Sequence, residues 1–237
     1  MKPRWLAIVG RKGGSGKTAL ALGLAAHYAR AGRRVLLVDL DPQGSASLAL
    51  GADADGERLA EILQAAPAPE MVPYVTFSGG LGLLAGGPAL ESVQAARPLR
   101  EALDGLLVDV VLVDCPPGHA ELDRLALQAA DVVLACTEAH RLGIAGAARV
   151  LDEARAVRPR PRCALVLGRM DAHRGLDRAA PDLLAGAFSV PVLAVRQDSR
   201  LADALNMGRL PTATGRAAAD LEAVAAWIDK QDTRGTA

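Results

Sequence analysis

The run GRKGGSGKTA, residues 10 to 19, is the feature that most restricts what this 237-residue chain can become. It follows an apolar run, WLAIV, and opens a segment rich in alanine and leucine. A glycine-rich loop set between a strand and a helix is the context of a phosphate-binding turn. Gly13, Gly14 and Gly16 permit backbone angles closed to other residues, and they let amide N–H groups turn inward as an anion nest. The helix that begins near Lys17 adds the positive end of its dipole. In such a loop Lys17 reaches the β- and γ-phosphates of a nucleotide and the Thr18 hydroxyl ligates Mg²⁺, with Ser15 and Ala19 completing the cradle. At ordinary residue frequencies the string arises by chance on the order of 10⁻⁵ to 10⁻⁴ times per chain, so a glycine turn without a ligand is set aside. One residue is left over. The usual pattern begins with glycine at position 11, but here Arg11 is followed by a second lysine, Lys12.

The rest of the chain suits that loop. Apolar runs at 5–10, 34–40, 81–85, 108–115, 131–137, 162–168 and 190–195 read as strands, most of them apolar throughout rather than alternating. Helix-like segments lie between them at 17–31, 57–66, 89–104, 119–130, 143–157, 176–187, 199–207 and 216–229. The alternation predicts an α/β fold, a doubly wound and mostly parallel sheet with helices on both faces. Ligands of such sheets bind beyond the carboxyl ends of the strands. Residues 1–230 are expected to form one domain, with 65–80 a surface excursion and 231–237 a frayed tail.

Two further strings fall at strand ends. VDLDPQGSAS places Asp39 and Asp41 at i and i+2 after the second run, and VVLVDCPPG delivers Asp114 to the same edge, followed by a stiff Pro116–Pro117–Gly118 bend. With the loop, these strings resemble the deviant-Walker ATPases of the ParA/MinD type, whose signature is KGGxGK[ST], and most of all the small DNA-partitioning members. The resemblance runs from Trp5 to about Ile228. It implies that Lys12 crosses a dimer interface to the partner's phosphates while Lys17 serves its own. It also implies that Asp41 orients or activates the attacking water, Asp39 supports the metal shell and Asp114 holds Mg²⁺. A fourth string, VRQDSRLADALNMGRLP, resembles the segment in which Arg200 is linked to non-specific DNA contact. Arg169 falls where the family has a segment near the adenine, without a definite role. Ala19 departs from the hydroxyl residue common after GKT.

The implied protein is an ATP- and Mg²⁺-dependent ATP hydrolase. It forms a homodimer on binding ATP, binds DNA non-specifically and is released by a ParB-like adaptor. It is expected in the cytoplasm, associated with the nucleoid. With 27 basic and 27 acidic residues, the chain shows no overall field that would announce DNA. Residues 160–216 nevertheless carry nine arginines against five aspartates. The same engine moving a protein cargo is the alternative that the sequence leaves open. A MinD-like membrane regulator needs a basic amphipathic terminus, and DLEAVAAWIDKQDTRGTA holds four acids against two bases. A secretory signal and an N-terminal helix-turn-helix domain are not expected ahead of a loop that starts at residue 10. Cys115, Cys136 and Cys163 lie in apolar runs and read as reduced core residues, and no paired cysteines suggest an iron–sulfur relative. Glu138 and His140 are unassigned, with His140 read as an exposed loop histidine.

Overall fold

The computed structural model describes residues 2–65, 74–77, 79–171 and 173–231. Its elements run β1 (Arg4–Val9), α1 (Lys17–Arg30), β2 (Val35–Asp39), α2 (Ser45–Ala49), α3 (Glu57–Ala65), β3 (Val75–Phe77) and β4 (Leu81–Leu84). They continue with α4 (Leu99–Ala102), β5 (Val110–Asp114), α5 (Ala120–Ala129), β6 (Val132–Thr137) and α6 (Arg141–Ala156). The last are β7 (Arg162–Met170), α7 (Gly175–Ala187), β8 (Val192–Arg196), α8 (Ser199–Asn206) and α9 (Arg216–Lys230). Among the described residues the strands form one eight-stranded sheet, ordered β3-β4-β2-β5-β1-β6-β7-β8. Every pairing is parallel except β3 with β4.

The apolar strands are explained by burial on both faces. Trp5, Ala7 and Val9 of β1, with Val111, Val113, Val133 and Leu165, face a layer made by α3 to α7. Leu6 and Ile8, with Leu37, Leu112, Leu134 and Val166, face a layer made chiefly by α1 and α9. The doubly wound, mostly parallel sheet read from the sequence is therefore the fold. The face of α9 that carries Leu221, Val224 and Ile228 is buried in this second layer. There α1 and α9 approach so closely that a Cβ at Gly23 would stand 2.5 Å from Leu221 Cδ1.

Three local readings change. The helix expected over 89–104 is a 3-10 turn, Pro88–Leu90, and the single-turn α4, because Pro98 sits in its middle and cannot donate the amide a continuous helix needs. The excursion at 65–80 contains the antiparallel edge strand β3, with residues 66–73 and 78 outside the described set. The short α2 directly after the acidic string was not foreseen. The tail expected to fray lies, beyond Gln231, outside the described residues.

Candidate functional site

Strand order gathers the site. β1 lies between β5 and β6, and β2 flanks β5, so the loops leaving these four strands open side by side at the carboxyl edge. In the loop after β1, Gly14 (φ 77°) and Gly16 (φ 87°) occupy the left-handed region. Gly16 is the N-cap of α1 and brings no side-chain cap, so the first amides of the helix keep their capacity to bind an anion. Ser15 is buried, and its hydroxyl has no hydrogen-bond partner. Lys17 is also buried, and its Nζ donates to the Lys12 carbonyl at 3.3 Å, curled over the loop it belongs to.

Asp39 and Asp114 are register neighbours at the ends of β2 and β5, and both are fully buried. Their surroundings differ. Asp39 accepts hydrogen bonds from the Ser47 amide (2.9 Å) and hydroxyl (2.8 Å) and from the Asp41 amide (3.1 Å). The Ser47 hydroxyl in turn accepts from the Gly86 amide at 3.0 Å, tying this loop to the end of β4. Asp114 has two buried carboxylate oxygens with no hydrogen-bond partner. Burial raises both carboxyls above the usual range. For Asp39 the Ser47 hydrogen bonds oppose the rise; for Asp114 the Asp39 charge adds to it, and the Thr18 hydroxyl and Lys17 charge relieve it in part. Asp41 is buried beside them, one of its oxygens accepting from the Gln43 amide at 2.8 Å.

The two lysines part company. Lys12 is half exposed at the rim, where its Nζ lies 3.2 Å from Glu138 Oε2 and 3.1 Å from His140 Nε2. His140 caps α6, its Nδ1 accepting from the Gly143 amide at 3.0 Å. That bond leaves Nε2 to carry the ring proton, so both Lys12 and His140 direct donors at Glu138. Arg169, at φ 54°, completes the cluster by donating to the Gly14 carbonyl at 3.1 Å. A cleft of about 460 Å³ opens on this flank, walled by Ser15, Gly16, Leu20, Arg169, Leu201 and Leu205.

The loop residues Lys12, Gly13, Gly14, Ser15, Gly16, Lys17, Thr18 and Ala19 thus meet Asp39, Asp41 and Asp114 at one edge. Arg200 stands apart. It lies on α8 and shares a second cleft, also of about 460 Å³, with Arg216 across Gly215. Whereas Arg196 is committed to Asp220 at 2.7 Å, Arg200, Arg209 and Arg216 form no ion pair within 4 Å among the described residues. No group of three His, Cys, Asp or Glu side chains suited to a metal ion occurs among them either.

A family model describing the CobQ/CobB/MinD/ParA nucleotide binding domain matches residues 6–226. The chain belongs to that family. It is 38% identical over 220 residues, 88% of this chain and 87% of the relative, to the chromosome-partitioning ATPase Soj of Thermus thermophilus. It is 34% identical to the maintenance of carboxysome distribution protein A of Synechococcus elongatus over 59% of this chain and 60% of that protein. Its fold is that of the septum site-determining protein MinD of Pyrococcus horikoshii, solved with Mg-ADP, at a TM-score of 0.79, 23% identity and 98% coverage of each chain.

For this CobQ/CobB/MinD/ParA-family chain, the sequence reading missed the roles of Glu138 and Ser47. Glu138 follows the apolar run of β6 directly, and an acid just beyond a strand that neighbours the loop strand was the available signal. Ser47 gave none, because its bond to Asp39 depends on the unforeseen turn of α2.

Proposed function

We propose that this chain is the ATPase switch of a DNA-partitioning system, with residues 1–230 acting as one unit. It binds ATP with Mg²⁺, dimerises in that state, holds DNA without sequence preference and is released when a ParB-like activator stimulates hydrolysis. The observation that carries this reading is the division between two lysines of one loop. Lys17 is buried over its own cradle, whereas Lys12 is half exposed at the rim. A cation held outside its own cradle is placed to serve a nucleotide that approaches from outside, and a second copy brings one across a twofold axis.

Within the cradle, the loop amides and Lys17 hold the phosphates. The orphaned oxygens of Asp114 fit Mg²⁺, with Thr18 as the other protein ligand, since Mg²⁺ takes few protein oxygens and completes its shell with phosphate and water. When bound, Mg²⁺ would neutralise charge on the nucleotide phosphates. Asp41 orients the attacking water. Asp39, its oxygens already engaged, supports the metal shell indirectly by fixing the Asp41 amide. The cleft beside Ser15 and Leu205 takes the base and sugar. Arg200, with Arg209 and Arg216, meets DNA phosphates.

The similarity to the chromosome-partitioning Soj supports DNA as the cargo, and the protein then works in the cytoplasm on the nucleoid. A protein cargo is the second reading, favoured by the similarity to the carboxysome-distribution protein. A MinD-like membrane role has less support, because the apolar face of α9 is buried in the core. The decisive experiment titrates random-sequence duplex DNA without nucleotide, with ADP and with ATP plus Mg²⁺, across a salt series. Binding confined to the ATP state and weakening with salt is the expected result. Binding in no state would overturn the DNA reading.

A further inference from the structure

Arg11, which stands where an ordinary phosphate loop begins with glycine, turns its side chain away from the cradle. Its Nη1 donates to Asp123 Oδ2 of α5 at 3.0 Å, and its Nη2 pairs with Glu153 of α6. The side chain runs close past one glycine: a Cβ at Gly146 would stand 3.1 Å from Arg11 Cβ. Asp123 is almost wholly buried and its second oxygen has no partner, so the guanidinium is its principal counter-charge. Burial pushes its carboxyl up to about 6 and Arg11 leads the opposing effects.

The placement matters because of what adjoins it on both sides. Lys12 is the next residue. Asp123 sits one helical turn after the 116–118 bend, its amide bonded to the His119 carbonyl at 2.8 Å, and His119 caps α5. The guanidinium therefore ties the leading arm of the phosphate loop to the helix that the bend launches, and to α6 as well. Arginine suits this task because its charged planar fork carries donors on separate nitrogens that can reach two carboxylates at once, whereas an amide or an ammonium has a single donor nitrogen.

We infer that Arg11 is a positioning residue that aims Lys12, so that the reach of this lysine towards a partner's nucleotide is set by the stance of α5 and α6. The inference rests on the reading of Lys12 as a lysine acting in trans. Removing Arg11 alone leaves Asp123 buried and unpaired, which threatens folding. The test therefore uses the charge-neutral pair Arg11→Gln/Asp123→Asn beside Lys12→Ala and the wild type. ADP affinity, ATP turnover against protein concentration and the melting temperature are measured for each.

The double variant should melt near the wild type and bind ADP within about twofold, yet lose about tenfold or more in kcat, like Lys12→Ala, with KM for ATP little changed. A merely structural role would lower the melting temperature and leave kcat per folded molecule intact, and that result would overturn the inference. So would wild-type turnover in the double variant beside an impaired Lys12→Ala. Normal turnover in Lys12→Ala would remove the trans lysine itself, and the inference with it.

Discussion

Strand β5 is bracketed by two aspartates whose treatment is opposite. At its amino end Asp109 receives the Arg34 backbone amide and guanidinium, with bonds of 2.8 Å to each carboxylate oxygen, and its carboxyl is lowered to about 2, chiefly by the hydrogen bonds from Arg34. At its carboxyl end Asp114 is buried with neither oxygen in a close hydrogen bond, and the Thr18 hydroxyl and Lys17 charge relieve it only in part. The amino edge repeats its pattern at Asp131, which accepts from the Trp5 amide at 2.9 Å and pairs with Arg100 at 2.7 Å. One edge of the sheet is chemically finished. The other keeps a carboxylate poorly satisfied, at a cost that a ligand can offset. Asp39, beside Asp114 and equally buried, shows that burial alone does not mark the poised group; the scarcity of donors does, three serving Asp39 and only the Thr18 hydroxyl standing near Asp114.

That contrast can be broken most directly at Asp114. Asp114→Ala should lower ATP turnover by about a hundredfold or more, a loss of about 3 kcal/mol of transition-state stabilisation, while the chemical-denaturation midpoint holds or rises because a poorly satisfied buried carboxyl is gone. A lowered midpoint would mean that Asp114 is satisfied within the fold, and the comparison would fail. Asp41→Ala comes next: turnover should drop by about tenfold or more while the ATP-bound dimer accumulates on size-exclusion chromatography. Turnover at the wild-type rate would remove Asp41 from the reaction.

The neighbouring Asp39 should behave in the opposite sense to Asp114. Asp39→Ala orphans the amides of Ser47 and Asp41 and should cost about 2–3 kcal/mol in urea unfolding. A cost near zero would show that its three hydrogen bonds are not what holds the β2–α2 loop. The smallest effect belongs to Asp109. A carboxyl lowered in the folded state adds stability that is complete above the unfolded value near 4 and is lost as the pH falls through about 2. The stability difference between the wild type and Asp109→Asn should therefore be level at neutral pH and narrow across that acid range. Because the pair is largely solvated, the acid-unfolding midpoint should move by only about a few tenths of a pH unit.

The same contrast explains what was legible in the sequence. The apolar strands, the glycine loop and the acids at strand ends are local patterns, and each specifies its own backbone. The failures were of two kinds. A proline at 98 outweighed a helical composition, and the edge strand β3 and the turn α2 were too short to carry periodicity. The partners of the charged residues were invisible for another reason. Lys12 meets Glu138, and Arg11 meets Asp123 and Glu153, across more than a hundred positions of chain. Such pairs become neighbours only through strand order, which places β6 beside β1.

Strand order also has a consequence for how the molecule is made. β1 is synthesised before both of its neighbours, β5 and β6, whose pairing residues begin at Val110 and Val132. As the chain leaves the ribosome from its amino end, the phosphate loop must wait unsupported until β6 has followed. The loop-closure entropy of those two distant pairings is due before any of the cradle can form. A nascent or prematurely ended chain thus carries the KGGSGKT string without the walls that give it meaning, and nucleotide binding reports that synthesis has passed β6.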